Sequence, residues 1–205
     1  TVCLDYAMTE SDECNGGSGK SFYMGAVGKL LNAFPIDGRA MQKKSNVQFL
    51  FDGVTEATGL IIVDECPKNF EYNYFYGMIT NDLRVEKKGQ NSYVIPFADS
   101  PKWAFGTNFV LRDHSPSTVR RLWPVLFGDY YHVETKTNDY RETRTISDDF
   151  GRNLMGEDYP ETDWQADFHF MLQCLQLYLG LPEGERRQLP PMQRIERREQ
   201  QAAIG

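Results

Sequence analysis

Apolar residues fall into short continuous runs separated by helical stripes along the first two thirds of the chain. Residues 2–8 and 123–127 are mainly apolar, residues 60–63 are a continuous apolar run without alternation, and residues 47–54 are rich in aromatic and β-branched side chains. Continuous apolar runs are typical of strands buried on both faces of a parallel sheet. Apolar positions three and four residues apart predict a helix over residues 21–32. This order predicts an α/β fold with a mainly parallel central sheet.

Weaker patterns predict the elements in between. Residues 35–46 are polar and turn-prone, and residues 67–81 carry an aromatic cluster that suits a helix packed on the sheet, with base stacking as the alternative. Residues 83–97 form two alternating segments around a basic turn, which predicts a β-hairpin. Residues 102–109 predict a further strand, and Ser115 marks the start of a helix.

The last third of the chain is more polar. Residues 134–163 are acidic and give no sign of chemistry. Apolar positions over residues 164–179 recur at three and four residues, which predicts an amphipathic helix. His169 and Cys174 lie on this helix and are both interpreted as packing residues. Residues 194–203 predict a charged helix.

A glycine-rich segment joins the first predicted strand to the first predicted helix. Strand, glycine-rich turn, Gly-Lys-Ser and helix are the arrangement of a phosphate-binding P-loop, whose backbone N–H groups surround phosphate oxygens. Lys20 would reach the β- and γ-phosphates, and Ser21 would ligate Mg²⁺. Cys14 stands where the pattern has its first glycine. The residues expected to bind the nucleotide are Gly16, Gly17, Ser18, Gly19, Lys20 and Ser21.

Two carboxylates follow the apolar run at residues 60–63. Asp64 and Glu65 would lie at the carboxyl end of a parallel strand, where open α/β sheets bind ligands. Asp64 is expected to hold Mg²⁺ together with Ser21, and Glu65 to act as general base toward the attacking water. Taken alone, the pair also fits an acidic turn after a core strand.

Composition limits the class of protein. The 205 residues, 40% of them hydrophobic, suit about one soluble globular domain, and no apolar run approaches the ~20 residues of a membrane span. Cys3, Cys14, Cys66 and Cys174 lack metal-ligand spacing and predict free thiols in a reducing compartment. The net charge of −7 argues against an extensive nucleic-acid-binding surface but is compatible with a local basic loop.

Four ordered motifs resemble the superfamily 3 helicase domain, an AAA+ ATPase of viral, phage and mobile-element replication proteins. The similarity is nearest to the poxvirus-like primase-helicases of phages and integrated elements. It implies a three-layer AAA+ sandwich with an inserted pore hairpin, residues 1–150 as the ATPase core and residues 151–205 as a truncated helical extension. The motifs are GGSGKS at 16–21, LIIVDE at 60–65, the segment 79–109 and RRLWPVLF at 120–127.

The resemblance also implies residue roles. Asn108 matches the sensor asparagine, which would bond the γ-phosphate or the attacking water. Arg120 and Arg121 compete for the arginine finger that acts on a neighbouring subunit's ATP, and Arg121 is favoured. Lys87 and Lys88 match the hairpin lysines that grip single-stranded DNA, whereas an ordinary solvated turn is the alternative for this tip.

The expected function is therefore that of an ATP-dependent DNA helicase domain of a replication protein. The resemblance implies a homo-hexamer with ATP and Mg²⁺ as cofactors, single-stranded DNA at a replication fork as partner, a fused or associated primase, and no membrane partner. It implies a cytoplasmic location in a bacterial cell or phage-infected host. An assembly switch or scaffold ATPase without helicase activity shares every ATPase motif. A small-molecule P-loop kinase agrees less well with Asn108 and Arg121.

Overall fold

A computed structural model describes residues 2–5, 17–42, 49–136, 139–186, 188 and 194, with residues 2–5 described by their backbone alone. In chain order the strands are β1 (Val2–Asp5), β2 (Ala33–Asp37), β3 (Leu60–Cys66), β4 (Leu83–Val85), β5 (Tyr93–Ile95), β6 (Lys102–Thr107) and β7 (Pro124–Phe127). Five of them form a parallel central sheet in the order β2-β3-β6-β1-β7, and β4 pairs with β5 in a separate antiparallel hairpin.

Helices connect these strands and continue the chain after the last one. Two short 3₁₀ helices, Gly38–Gln42 and Tyr72–Phe75, follow the carboxyl ends of β2 and β3. The α-helices are α1 (Lys20–Leu31), α2 (Tyr76–Thr80), α3 (Pro116–Arg121), α4 (Ile146–Phe150), α5 (Glu161–Gly180) and α6 (Glu183–Arg186). The predicted α/β class with a parallel sheet is confirmed, as are the first helix and the hairpin.

The core lies between the middle of the sheet and the aromatic segment that follows β3. Ile61, Val63 and Phe105 are completely buried on the two central strands. Phe75 packs edge-to-face on Phe105, with ring centroids 5.4 Å apart, and Phe70 stacks on Phe75 at 5.5 Å. Offset and edge-to-face pairs of this kind stabilise a core beyond their area burial. The aromatic cluster therefore packs on the sheet, as the preferred interpretation had it.

The strand at the edge of the sheet lies elsewhere than expected. The prediction of a strand over residues 47–54 is wrong for its described part, since residues 49–53 form turns. Ala33–Asp37 forms β2 instead and pairs in parallel with β3, so the turn prediction for residues 35–46 is wrong at Pro35–Asp37. Proline is compatible with an edge strand because one side of such a strand needs no ladder hydrogen bond.

The long helix α5 forms where the apolar periodicity predicted it. None of its residues is buried, and His169 and Cys174 are both exposed, so their interpretation as packing residues is wrong. Within the part of the chain that the structure describes, no helix has the length and apolar character to cross a membrane. Most of the predicted charged helix at residues 194–203 lies outside the described residues, as do the side chain of Cys3 and all of Cys14.

Candidate functional site

The glycine-rich turn ends directly at the first residue of α1. Gly17 and Gly19 have φ angles of +98° and +97°, a backbone region that glycine enters without strain. Gly19 caps α1 without a side-chain hydrogen bond, so no side chain of the cap residue covers the first N–H groups of the helix. Ser18 Oγ is buried and lacks a hydrogen-bond partner in the described part of the chain. Gly16 lies outside the described residues.

Lys20 and Asn108 meet at this turn although 88 positions separate them. Lys20 Nζ donates to Asn108 Oδ1 at 2.7 Å, and the Lys20 side chain is 7% exposed. Asn108 directly follows the carboxyl end of β6, the central strand next to β1. This contact uses the amide oxygen of Asn108, because an ammonium group can only donate. The two N–H groups of the Asn108 amide can therefore donate to another acceptor.

Ser21 and Asp64 form the second contact between the turn and the sheet. Ser21 Oγ donates to Asp64 Oδ2 at 2.7 Å, while Asp64 Oδ1 accepts from the Glu65 backbone N–H at 2.9 Å. The β3–β6 register shifts between Val63 and Cys66, and Glu65 has a φ of +56°. A bulge therefore aims Asp64 at α1 and leaves the Glu65 side chain exposed at the same edge.

A Mg²⁺ ion fits this pair of oxygens. Within the described chain no three His, Cys, Asp or Glu side chains cluster as a metal site. Mg²⁺ nevertheless binds through one or two protein oxygens when nucleotide phosphates and water supply the rest. Ser21 and Asp64 would hold the ion, which would neutralise phosphate charge.

A cleft of about 400 Å³ opens over the turn, and a second of about 270 Å³ adjoins it; Lys20, Ser21, Glu65 and Asn108 line both. The far wall of the larger cleft comes from residues after β7. The peptide groups of His132 and Arg144 exchange two hydrogen bonds of 2.9 Å, which hold this wall together. The wall consists of Tyr131, His132, Val133, Arg144, Thr145, Ile146, Ser147 and Asn153.

Arg144 is the cation of this wall. Its guanidinium carbon lies 3.9 Å from the centroid of the Tyr130 ring, and Nη2 lies 3.3 Å from Asp149 Oδ1. The side chain also donates to the Tyr130 hydroxyl. Residues 134–163 were expected to contain no functional side chain, so Arg144 was not predicted to lie at the site. No local pattern marks it, because its position depends on how the chain folds back after β7.

Arg39 lines the smaller cleft beside the two carboxylates. Arg39 Nε lies 3.1 Å from Asp37 Oδ1. The hydrogen bond that Arg39 donates to Asp37, followed by the charges of Asp37, Glu65 and Asp64, raises the pKa of Arg39. Arg39 was also missed from the sequence, because β2 was not recognised and the residue after its end was therefore not placed at the ligand edge.

Neither arginine-finger candidate lines either cleft. Arg121 is the last residue of α3, and β7 begins three residues later. Arg121 is half-buried, whereas Arg120 is exposed.

The hairpin lysines differ in their surroundings. The Lys87 ammonium lies 5.3 Å from the centroid of the Tyr93 ring and is half-buried, whereas Lys88 is exposed. Gly89 follows with a φ of +71°, as a tight turn between β4 and β5 requires. Arg84 adds a further exposed cation on β4, where it donates to Ser92 Oγ at 3.0 Å.

Comparison with known proteins finds a weak likeness among solved structures. No protein-family model matches the chain, and no curated protein matches it. Among solved structures, the A-form apo structure of the NrS-1 C-terminal region is similar at 11% identity and a TM-score of 0.40. The alignment covers 100% of this chain and 53% of that one, so the chain spans about half the length of that structure. A likeness of this degree assigns neither a fold family nor a function.

Proposed function

We propose that the chain is the ATPase domain of a DNA helicase from a replication protein of the primase-helicase type. In this proposal it is an AAA+ domain that hydrolyses ATP at the interfaces of a homo-hexameric ring and translocates on single-stranded DNA. The observation that carries the proposal is the convergence of Lys20, Ser21, Asp64, Glu65 and Asn108 at one edge of the sheet. The order of sequence motifs around these residues supports the helicase class.

Binding of ATP would begin at the start of α1. The backbone N–H groups of the turn and the positive end of the α1 dipole would receive the phosphates. Lys20 would exchange Asn108 Oδ1 for β- and γ-phosphate oxygens, and Ser18 Oγ is a further donor placed in the turn. Arg144 on the far wall adds positive charge to the cleft.

Hydrolysis would depend on positioning and charge stabilisation, because phosphoryl transfer needs little covalent help. Glu65 is exposed at the carboxyl edge and would accept a proton from the attacking water. Once Lys20 leaves Asn108, that amide would orient the water or the γ-phosphate. A neighbouring subunit's Arg121 would stabilise the transition state, an effect worth roughly 10³–10⁵ in rate for arginine fingers.

The hairpin provides the proposed DNA contact. Lys87, Lys88 and Arg84 give it three cations within five positions, against the single carboxylate of Glu86. A few phosphate contacts per subunit suffice when six subunits engage one strand, because linked sites act at high effective concentration. The net charge of −7 is then compatible with a locally basic pore.

The test is ATP turnover of the 205-residue chain with and without a single-stranded oligonucleotide, run beside a mass measurement of the oligomer. The proposal expects stimulation by the oligonucleotide and a ring-sized mass. Lys20→Ala should abolish turnover, and Glu65→Gln should retain ATP binding while stopping hydrolysis. Lys29→Ala, which changes an exposed lysine on the same helix, should behave as wild type.

Three results would contradict the proposal in different ways. Unchanged turnover in Lys20→Ala would remove the P-loop assignment. Turnover that DNA does not change, in a chain that assembles with ATP, would favour an assembly ATPase over a translocase. Absence of any ATP hydrolysis would overturn the proposal as a whole.

A further inference from the structure

The Arg121 side chain is oriented by contacts but keeps part of its hydrogen-bonding capacity. Arg121 Nη1 donates to the Ser117 backbone oxygen at 3.1 Å and to Ser117 Oγ at 2.7 Å. Its Nε is buried and has no hydrogen-bond partner among the described residues. A guanidinium group carries five N–H donors in a fixed plane. Arg121 is therefore held in place without all of its donors being used.

Tyr76 of α2 holds the other side of this guanidinium. The Arg121 guanidinium carbon lies 5.1 Å from the centroid of the Tyr76 ring, within the range of a cation–π interaction. The Tyr76 hydroxyl hydrogen-bonds Thr118 Oγ1, and Thr118 is 1% exposed. Since the Thr118 hydroxyl donates to Asp113, the Tyr76 hydroxyl is the donor to Thr118. One tyrosine thus contacts both the arginine and the buried side of α3.

The same tyrosine is the first residue of the short helix that leads into the hairpin. Thr80 Oγ1 donates to the Tyr76 backbone oxygen at 2.8 Å, which ties the two ends of α2 together. Asp82 Oδ1 accepts from the Phe97 backbone N–H at 2.8 Å and so closes the base of the hairpin. Leu83 begins β4 and is 1% exposed. A displacement of the hairpin base would therefore reach Tyr76 through a short and well-bonded segment.

We propose that Tyr76 is a positioning residue for Arg121, and that it couples this arginine to the DNA-binding hairpin of the same subunit. This inference rests on the proposed function, in which Arg121 acts on a neighbouring subunit's ATP. The Tyr76 ring sets the plane of the guanidinium, and the Tyr76 hydroxyl fixes the ring on Thr118. Binding of single-stranded DNA at the hairpin then changes the position of Arg121, and this change alters the rate of ATP hydrolysis in the neighbouring subunit.

The test compares Tyr76→Leu, Tyr76→Phe and the control Tyr74→Leu. Tyr74 lies in the same segment, is 47% exposed and is not among the residues that hold Arg121. Tyr76→Leu should leave KM for ATP near the wild-type value, since the ATP cleft is unchanged. Its kcat should fall about three- to thirty-fold, the range expected when a cation–π interaction is removed, and the oligonucleotide should no longer stimulate turnover. Tyr76→Phe keeps the ring and should restore most of kcat, and Tyr74→Leu should match wild type.

A double-mutant cycle shows whether Tyr76 acts through Arg121. Tyr76→Leu should have no further effect in an Arg121→Ala background, because the group it positions is already gone. Additive losses would overturn the inference, as would a Tyr76→Leu variant with wild-type kcat and stimulation. Tyr76→Met keeps the apolar volume without the ring face and replaces Tyr76→Leu if that variant does not fold.

The inference and the proposed function fail in distinguishable ways. A wild-type chain that hydrolyses no ATP, or that DNA does not stimulate, overturns both. A wild-type chain with DNA-stimulated turnover and a Tyr76→Leu variant that keeps it overturns only the role of Tyr76. An Arg121→Ala variant with full activity contradicts the role of the arginine and, with it, the positioning by Tyr76.

Discussion

Asp64 reaches Ser21 only because position 106 on the neighbouring strand has no side chain. A Cβ atom placed on Gly106 would lie 2.1 Å from Asp64 Oδ1 and 2.7 Å from Met24 Cε. Both distances are shorter than non-bonded neighbours allow. The bulge at the end of β3 places the Asp64 carboxylate against β6, and Gly106 leaves the space that this carboxylate occupies.

We expect Gly106→Ala to displace Asp64 from Ser21. Overpacking of a tight site costs about 1–3 kcal/mol of unfolding free energy, and Mg²⁺-dependent nucleotide affinity should fall as well. The measurements are the urea midpoint and titration with a fluorescent ATP analogue, each with and without Mg²⁺. Gly25→Ala is the control, because nothing lies within 4 Å of its Cβ position and helical alanine is favoured over glycine. A Gly106→Ala variant that binds Mg²⁺-nucleotide as wild type would contradict the role given to Asp64.

Arg144 allows a second prediction about a single side chain. A triphosphate entering the cleft would meet this cation, and charge-assisted hydrogen bonds contribute about 1.5–3 kcal/mol each. Arg144→Ala should weaken ATP affinity by about ten-fold or more, with a smaller loss for Arg144→Lys. The control is Arg152→Ala, because Arg152 likewise lies over a tyrosine ring and beside a carboxylate but does not line the cleft. Equal affinities of Arg144→Ala and Arg152→Ala would exclude Arg144 from the site.

The two lysines of the β4–β5 hairpin differ in their solvent exposure. Lys87 is half-buried over Tyr93, whereas Lys88 is exposed at the turn. We expect Lys88→Ala to weaken binding to a single-stranded oligonucleotide more than Lys87→Ala does. The salt slope of log K should become shallower by roughly 0.7 for each phosphate of the single strand that the variant no longer neutralises. Fluorescence anisotropy from low to physiological salt measures both quantities, and a double variant with unchanged affinity and slope would make the hairpin purely structural.

The elements that the sequence predicted well have a clear boundary and a clear apolar pattern, which is either a continuous run or a helical stripe. The runs behind β3 and β7 and the stripe of α1 each bury a face of the sheet or helix, so the pattern reports the packing directly. β2 was missed because Ala33–Asp37 is short and contains Pro35. A strand was predicted instead at the aromatic residues 49–54, which form turns that pack on the core. Phe51 and Val54 are in fact buried without being in a strand.

The helix α5 shows what apolar periodicity leaves open. The pattern predicts a helix with an apolar face, and the helix forms over Glu161–Gly180. Leu172, Leu175 and Leu179 nevertheless remain 46%, 49% and 53% exposed. Periodicity reports the conformation that groups these side chains, whereas their burial depends on surfaces distant in sequence.

The site was predictable to the extent that its residues follow strands. Asp64 and Glu65 come at the carboxyl end of β3, and a parallel sheet brings such ends together. Asn108, which follows the carboxyl end of β6, was implied only by the resemblance to the helicase family. Arg39 and Arg144 were not predictable, since the first follows the unrecognised strand and the second returns to the cleft from beyond β7. Their contribution depends on the path of the chain through space and on no local motif.

At the level of the assembled molecule, Arg121 lies outside the cleft that it would serve. Arg121 ends α3 before β7 and lines neither cleft, while Lys20, Asp64 and Asn108 meet at the carboxyl edge of the sheet. In the proposed ring, a head-to-tail arrangement of copies would bring this arginine to the cleft of a neighbouring subunit, and head-to-tail interfaces close into rings when the rotation between copies allows it.

This arrangement predicts that two inactive variants restore activity when they assemble together. Arg121→Ala keeps Glu65 but lacks the finger, and Glu65→Gln keeps the finger but lacks the base. In an equimolar mixture, about one quarter of head-to-tail interfaces would pair an intact Glu65 with an intact Arg121. We expect ATP turnover to rise well above that of either variant alone when the subunits are mixed and allowed to exchange. Co-assembly is measured by native mass spectrometry of differently tagged subunits, and Lys20→Ala mixed with Glu65→Gln is the control, because no interface in that mixture regains both an intact P-loop lysine and an intact base. Proven co-assembly without any gain in turnover would show that Arg121 does not act between subunits.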